Sequence, residues 1–194
     1  MRLGKLGYYG DFLVYPLIVV ILGVALVRRN TAGHQTGWAA CVLGGAALWT
    51  LLEYLIHRTF LHRGGVFTVM HAEHHAFPRA YIGTPAWISV PTFTLLVAAP
   101  AWLLGGGNVA GGLTGGIMLG YWWYGVVHHV IHHRTALPFA RYFSRLRRHH
   151  QLHHHSAIGG NFGVTTVMWD VLLGTTIAAP ITPRSAPQAR HPKI

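Results

Sequence analysis

Cysteine is almost absent from this 194-residue chain, where Cys41 stands alone. A single cysteine excludes an internal disulfide and a thiolate-held iron–sulfur cluster, and it leaves the redox compartment unspecified. Acidic side chains are nearly as scarce: Asp11, Glu53, Glu73 and Asp170 are the whole set. The soluble di-iron bundle draws on four glutamates, two of them in Glu-x-x-His pairs, and two glutamates cannot build it. Charged residues of both signs make up only 10% of the chain, against roughly 25% in an ordinary soluble domain. No long internal repeat is visible, and the length suits one domain, 1–194, rather than two.

What fills the gap is apolar. Hydrophobic residues reach 52% and the mean hydropathy is +0.36, a balance suited to a surface that faces lipid. About 20 residues cross a bilayer core, and four stretches approach that length: 8–27, 38–56, about 86–104 and about 111–127. The first is preceded by Arg2 and Lys5 and resembles a signal peptide, but no small-x-small cleavage pattern follows, so it reads as a retained anchor. Pro91 and Pro100 are expected to kink the third. The glycine-rich stretch 105–116 reads as a tight turn running into a closely packed helix. The residues from Pro183 onward read as a loose polar tail.

The net charge of +11 does not point to nucleic acid, because the basic residues flank apolar spans instead of interleaving with base-stacking aromatics. They read as topology signals and contacts to anionic headgroups. With a cytoplasmic N-terminus, four spans leave only Arg28 and Arg29 outside, out of 15 lysines and arginines. The same topology puts every histidine but His34 at or beyond the cytoplasmic ends of the spans.

Histidine is the outlier, with 16 in the chain. Four clusters hold most of them: His57-x4-His62 at the end of the second span, His71-x2-His74-His75, His128-His129-x2-His132-His133 at the end of the fourth, and His149-His150-x2-His153-His154-His155. Positions i, i+3 and i+4 share one helical face, so His71, His74 and His75 can converge, as can His150, His153 and His154, and His128 with His132. Imidazole suits iron, zinc, copper or nickel, and about ten convergent histidines exceed what one ion takes. Two metals held by histidine almost alone would make a strongly cationic site. Burying so many unpaired ring nitrogens without a partner would be costly. His34 and His191 read as ordinary surface or core residues. His129, His133, His149 and His155 fit supporting, headgroup-facing or rim positions equally.

These boxes resemble those of the fatty acid hydroxylase/sterol desaturase superfamily, which carries H-x(3–4)-H, H-x-x-H-H and a further H-x-x-H-H in that order. The resemblance covers about residues 50–176. The run from Asn161 through Asp170 to Thr175 is similar to the segment after the last box of fatty acid 2-hydroxylases, and its spacing favours His150, His153 and His154 over a triplet shifted to His149 and His155. The resemblance implies an all-α integral membrane fold, with four transmembrane helices capped by a cytoplasmic helical domain carrying the metals. It implies two iron ions, replaceable by zinc in isolated protein, ligated by His57, His62, His71, His74, His75, His128, His132, His150, His153 and His154. It also implies O2 activation and hydroxylation or desaturation of an unactivated C–H bond in a membrane lipid. The superfamily includes sterol, carotenoid and lipid-headgroup enzymes, and the short spacer from His62 to His71 leans toward acyl-chain hydroxylases. The His-Pro-Gly-Gly haem motif of fused members is missing, so electrons are expected from an external donor, cytochrome b5-like or ferredoxin-like.

Other residues carry supporting roles in this reading. Glu53 lies one turn before His57 and is placed to accept a proton from a ligand's outer ring nitrogen, as such carboxylates commonly do; Asp170 and Glu73 are similar but weaker candidates. Asp11 reads as a helix-end residue. Tyr121, Trp122, Trp123, Tyr124, Phe162 and Trp169 are candidate walls of a substrate slot, or equally an interfacial aromatic belt. Arg145, Arg147 and Arg148 suit a headgroup-facing surface. The non-enzymatic alternatives are a membrane metal carrier or sensor, and a di-haem carrier.

Overall fold

The computed structural model describes residues 1–28, 33–63, 65–135, 139–156 and 158–177. The tail from Pro183, with His191, lies outside them, as do Arg29 and the side chain of His34. Among the described residues the elements run α1 (Lys5–Arg28), α2 (Gly33–Leu55), a π-helical turn (Ile56–Leu61), α3 (Val66–Ala76), α4 (Ala86–Phe93), a second π-helical turn (Thr94–Ala98), α5 (Ala99–His133), α6 (Ala140–His155) and the short α7 (Met168–Leu172).

Among the described residues, three helical stretches are long and apolar enough to cross a membrane: Lys5–Arg28, Gln35–Leu61 and Ala86–His133. Their outward faces carry exposed Leu13, Leu17, Leu43, Leu95 and Leu103. An apolar surface of this extent needs lipid or a partner to cover it. The third stretch, 48 residues long, is not straight. Phe93 and Tyr121 would stand about 42 Å apart along one helix at 1.5 Å per residue, yet their rings lie 5.4 Å apart. The chain reverses at Gly106, whose backbone (φ 71°, ψ −174°) leaves the helical region for one that glycine tolerates. The turn expected across 105–116 is therefore confined to one residue, and helix resumes at once.

The glycines after it serve packing. Gly112 and Gly116, four apart on one face, bring α5 against α2 so closely that a Cβ on Gly116 would sit 2.1 Å from the Val42 carbonyl oxygen. Small residues at this spacing let helix backbones meet where lipid gives no hydrophobic drive. Tyr121 lies at the junction of the bundle. Its ring meets Tyr15 of α1, Trp49 of α2 and Phe93 of α4 at centroid distances of 5.0, 5.2 and 5.4 Å. Pro16 inside α1 has no N–H to offer the Phe12 carbonyl, and Trp122 Nε1 donates to that carbonyl at 3.1 Å instead. Asp11 caps a neighbour, accepting the Ala86 N–H at the start of α4 at 3.0 Å.

These contacts sort the helix ends into two poles. The beginnings of α1 and α4 meet the end of α5, through Asp11 and Ala86 and through Tyr8 and His129 (3.2 Å). Leu3 also pairs with Tyr81 through a backbone hydrogen bond of 2.7 Å. At the other pole Trp38, early in α2, packs near Gly23 and Gly112. The end of α5, α6 and the loop after α6 share an apolar core of Val127, Ile131, Phe143, Leu146 and Val164, which fixes the histidine-bearing α6 to the pole where α5 ends.

Candidate metal centre

Two of the histidine pairs converge, each within its own group, by different helical means. Positions five apart on an α-helix diverge by about 140° at 3.6 residues per turn. The π-turn Ile56–Leu61, with its i→i+5 hydrogen bonding, brings His57 and His62 onto one side. His128 and His132 are four apart on regular α5 and need no such device.

The ligand atoms form two groups. In the first, one ring nitrogen from each of His57, His62, His71, His75 and His153 lies within 4.8 Å of all the others; in the second, the same holds for His74, His128, His132 and His150. The Nε2 atoms of His71, His62, His153 and His75 make a closed ring with edges of 3.0, 3.1, 3.1 and 3.0 Å, and His57 Nε2 stands 3.0 Å from that of His71. A square of that edge has its centre about 2.2 Å from each corner, close to the roughly 2.0–2.1 Å of a metal–imidazole bond. In the second group His128 and His74 lie 3.0 Å apart, as do His132 and His150, and His154 Nε2 sits 3.0 Å from His150 at the edge.

The partition has a pattern. The i, i+4 pair His71 and His75 serves the first group, and the intervening ligand His74 serves the second. In α6 the arrangement is exchanged: His150 and His154 lie with the second group and His153 with the first. Each H-x-x-H-H box thus contributes to both groups.

The loop after α6 holds the first group from behind. His57 Nδ1 donates to the Phe162 carbonyl at 2.5 Å and His153 Nδ1 to the Gly160 carbonyl at 2.8 Å. With the proton on Nδ1, each Nε2 presents a lone pair to the centre, the orientation that outer partners commonly impose on metal-binding histidines. Two carboxylates fix the loop in turn. Asp170 accepts the N–H groups of Phe162 and Gly163 at 2.8 Å each, Thr175 Oγ1–H at 2.7 Å and His149 Nε2–H at 2.9 Å. Burial alone would raise its pKa, but these hydrogen bonds together bring it below the usual carboxylate value. Glu53 accepts the N–H groups of Val164 and Thr165 at 2.6 and 2.9 Å and the Thr165 hydroxyl at 2.6 Å. Asn161, at φ 54° and fully buried, donates from Nδ2 to the His149 carbonyl at 3.1 Å and accepts the Ile177 N–H at 2.7 Å.

Glu53 and Asp170 therefore stand near the candidate ligands but bond to the loop and, for Asp170, to His149, and the direct partners of the His57 and His153 imidazoles are backbone carbonyls. Glu73 pairs with Arg2 at 2.6 Å in an exposed contact. Burial above all, with neighbouring imidazoles adding to it, lowers His74 to about 3 and His75 to about 4; burial also lowers His153 to about 4. Unfolded histidine titrates near 6.5. The folded chain thus binds fewer protons, so its stability is full above pH 6.5 and falls as pH drops toward 3. The melting temperature of the metal-free protein is expected to decline steadily from pH 7 to pH 4. A flat profile would mean that these histidines are not held neutral.

An apolar cavity of about 450 Å3 reaches both groups, bordered by His57 and His71 on one and His74 and His128 on the other. Tyr121, Trp122 and Tyr124 line it, with Tyr8, Tyr15, Phe60, Phe67 and Met70. Tyr124 also stacks on His128, with ring centroids 5.6 Å apart at 17°. Phe162 lies instead against the rings of His57, His62 and His153, and Trp169 donates to Thr50 Oγ1 at 3.0 Å away from the cavity. The lining from α1 and α3 carries no motif; each residue becomes legible only once the helices are assembled.

Helical spans that gather two histidine groups at one pole, under an apolar cavity, define the class: a membrane-embedded protein with a histidine cluster able to hold metal. The comparisons make this specific. The fatty acid hydroxylase family profile matches residues 42–175, and the chain belongs to that family. It is 30% identical over 171 residues to the dihydroceramide fatty acyl 2-hydroxylase FAH2 of Arabidopsis thaliana, covering 82% of this chain and 69% of the relative. Identity to the ceramide very long chain fatty acid hydroxylase SCS7 of Saccharomyces cerevisiae is 29% over 177 residues, 82% of this chain and 43% of that protein. The fatty acid 2-hydroxylase of Homo sapiens is 32% identical over 148 residues, 68% of this chain and 38% of the relative. The chain thus spans less than half of the yeast and human proteins. A solved structure of full-length scs7p, with only the hydroxylase domain visible, superposes with a TM-score of 0.72 at 25% identity, covering 89% of this chain and 67% of that one.

Proposed function

We propose that the chain is an O2-dependent di-iron hydroxylase acting on the acyl chain of a membrane lipid. The observation that carries this reading is one apolar cavity bordered by histidines of both groups. A carrier would need polar ligands spread along a path through the bilayer, whereas these gather at one pole. The donor set fits the implied ions: neutral imidazoles, Nε2 atoms at ligand spacing, and two Nδ1 protons already committed to carbonyls. Two iron ions, or zinc in isolated protein, would be held by the ten histidines, and when bound they supply the activation of O2 for attack on an unactivated C–H bond. The chain's own residues do the rest. Tyr121, Trp122 and Tyr124 form the wall along which an acyl chain lies, and the apolar lining excludes water. Phe162 and Gly160 fix two imidazoles, while Glu53 and Asp170 hold the loop that presents those carbonyls.

The same reading sets the topology. The arms before and after Gly106 each cross the bilayer, giving four spans, and α3, α6 and α7 cap them on the cytoplasmic side with the N-terminus, where the basic residues collect. Electrons come from a donor protein, cytochrome b5-like or ferredoxin-like. The test is mass spectrometry of total lipids from cells expressing the chain or its His153→Ala form. A gain of 16 mass units on one lipid class, absent with the variant, is expected. A loss of two would indicate desaturation, and lipids identical in both would sink the reading.

A further inference from the structure

The two histidine groups are near mirror images in ligand pattern but not in support. We propose that they hold their ions with unequal strength: the group of His57, His62, His71, His75 and His153 retains its ion, and the group of His74, His128, His132 and His150 releases its ion readily. The inference rests on the dinuclear reading above, and three independent features of the chain carry it.

The first is anchoring. His57 and His153 have their Nδ1 atoms tied to the Phe162 and Gly160 carbonyls. Among the described residues no such partner serves the second group, and His150 Nδ1 is buried without any hydrogen bond although the residue is only 1% exposed. Loss of an outer partner typically weakens metal binding about tenfold to a hundredfold. The second feature is donor number. Five ring nitrogens close around the first centre and four around the second, with His154 at its edge.

The third is charge. The Asp170 carboxylate stands behind the first group, bonded to the peptide N–H groups of Phe162 and Gly163. Behind the second is a guanidinium: Arg147 donates to the carbonyls of Val130, Ile131 and Arg134, on the turn that carries His132. A separate opening of about 240 Å3 is lined by His132, His150 and His154 between Arg79, Arg134 and Arg147, with no carboxylate in its lining. It shares no residue with the apolar cavity. Positive charge there disfavours a cation and draws anionic chelators toward it.

The experiment takes the full chain, loaded with metal and purified in detergent, through a rising series of EDTA concentrations. Metal per chain is read by mass spectrometry of the elements, and anomalous scattering from crystals of partly stripped protein locates the ion that remains. One ion is expected to leave at a chelator concentration at least about tenfold below that needed for the other, with the retained density between His57, His71 and His153. Loss of both ions in one phase, or density retained between His74, His128 and His150, overturns the inference while leaving the dinuclear reading intact. Fully loaded protein without density in either group sinks both.

Discussion

Replacing Asp170 by asparagine is expected to empty the first histidine group and to destabilise the chain by roughly 3 kcal/mol or more. The carboxylate is acceptor to four donors at once: two peptide N–H groups, the Thr175 hydroxyl and the His149 ring. It is fully buried. Hydrogen bonds to a charged group contribute about 1.5–3 kcal/mol each, and a buried donor left unpaired costs its desolvation besides. Asparagine keeps the shape, but its amide NH2 must face a donor where an acceptor is needed. The Phe162 and Gly160 carbonyls then lose their fixed position, and with it the orientation of His57 and His153. Metal analysis and thermal unfolding in detergent check this. An Asp170→Asn chain with full metal content and an unchanged melting temperature would refute the role assigned to the loop.

The second large effect separates two neighbours. Gly45→Ala is expected to drive α2 and α5 apart, because the added Cβ would meet the Leu113 carbonyl oxygen at 2.4 Å and the Ile117 nitrogen at 3.0 Å. Overpacking a tight core costs about 1–3 kcal/mol where side chains can give way; here the obstacles are backbone atoms of a long helix, and the cost is at least at the upper end of that range. Gly44→Ala meets nothing within 4 Å, and alanine in a helix interior is favoured over glycine by roughly 0.5–1 kcal/mol. The first variant should aggregate on detergent extraction, and the second should elute as the parent does with an equal or higher melting temperature. Equal behaviour of the two would deny the close approach of α2 and α5.

Much of the site was legible in the sequence because its causes are local. Bilayer thickness forces long apolar runs, so the spans stand out. An imidazole cluster has few uses besides metal, so all ten ligand candidates could be named from spacing and resemblance. The assignment of ligands to groups was not legible, because it depends on how two helices face each other: His74 and His153 each cross to the group opposite their own box neighbours. Nor could spacing alone reveal that residues 56–61 form a π-turn, which His57 and His62 need if they are to point together. Glu53 and Asp170 are the carboxylates expected to partner ligand ring nitrogens, yet at His57 and His153 that place is taken by the carbonyls of Phe162 and Gly160, and Asp170 meets the ring of His149 instead. A backbone carbonyl leaves no mark in a sequence. The nearest signal is Asn161 after two glycines, a residue that tolerates positive φ where the loop must bend.

The sorting of helix ends into two poles bears on how such a protein matures. Every candidate ligand sits at the pole where α1 begins and α5 ends, and an opening among Arg79, Arg134 and Arg147 reaches three of the histidines. No ion has to pass through hydrocarbon to reach its seat. On the proposed dinuclear reading, the apolar helices can be threaded into the bilayer first, as an empty scaffold, and the ions delivered afterwards from the adjoining water.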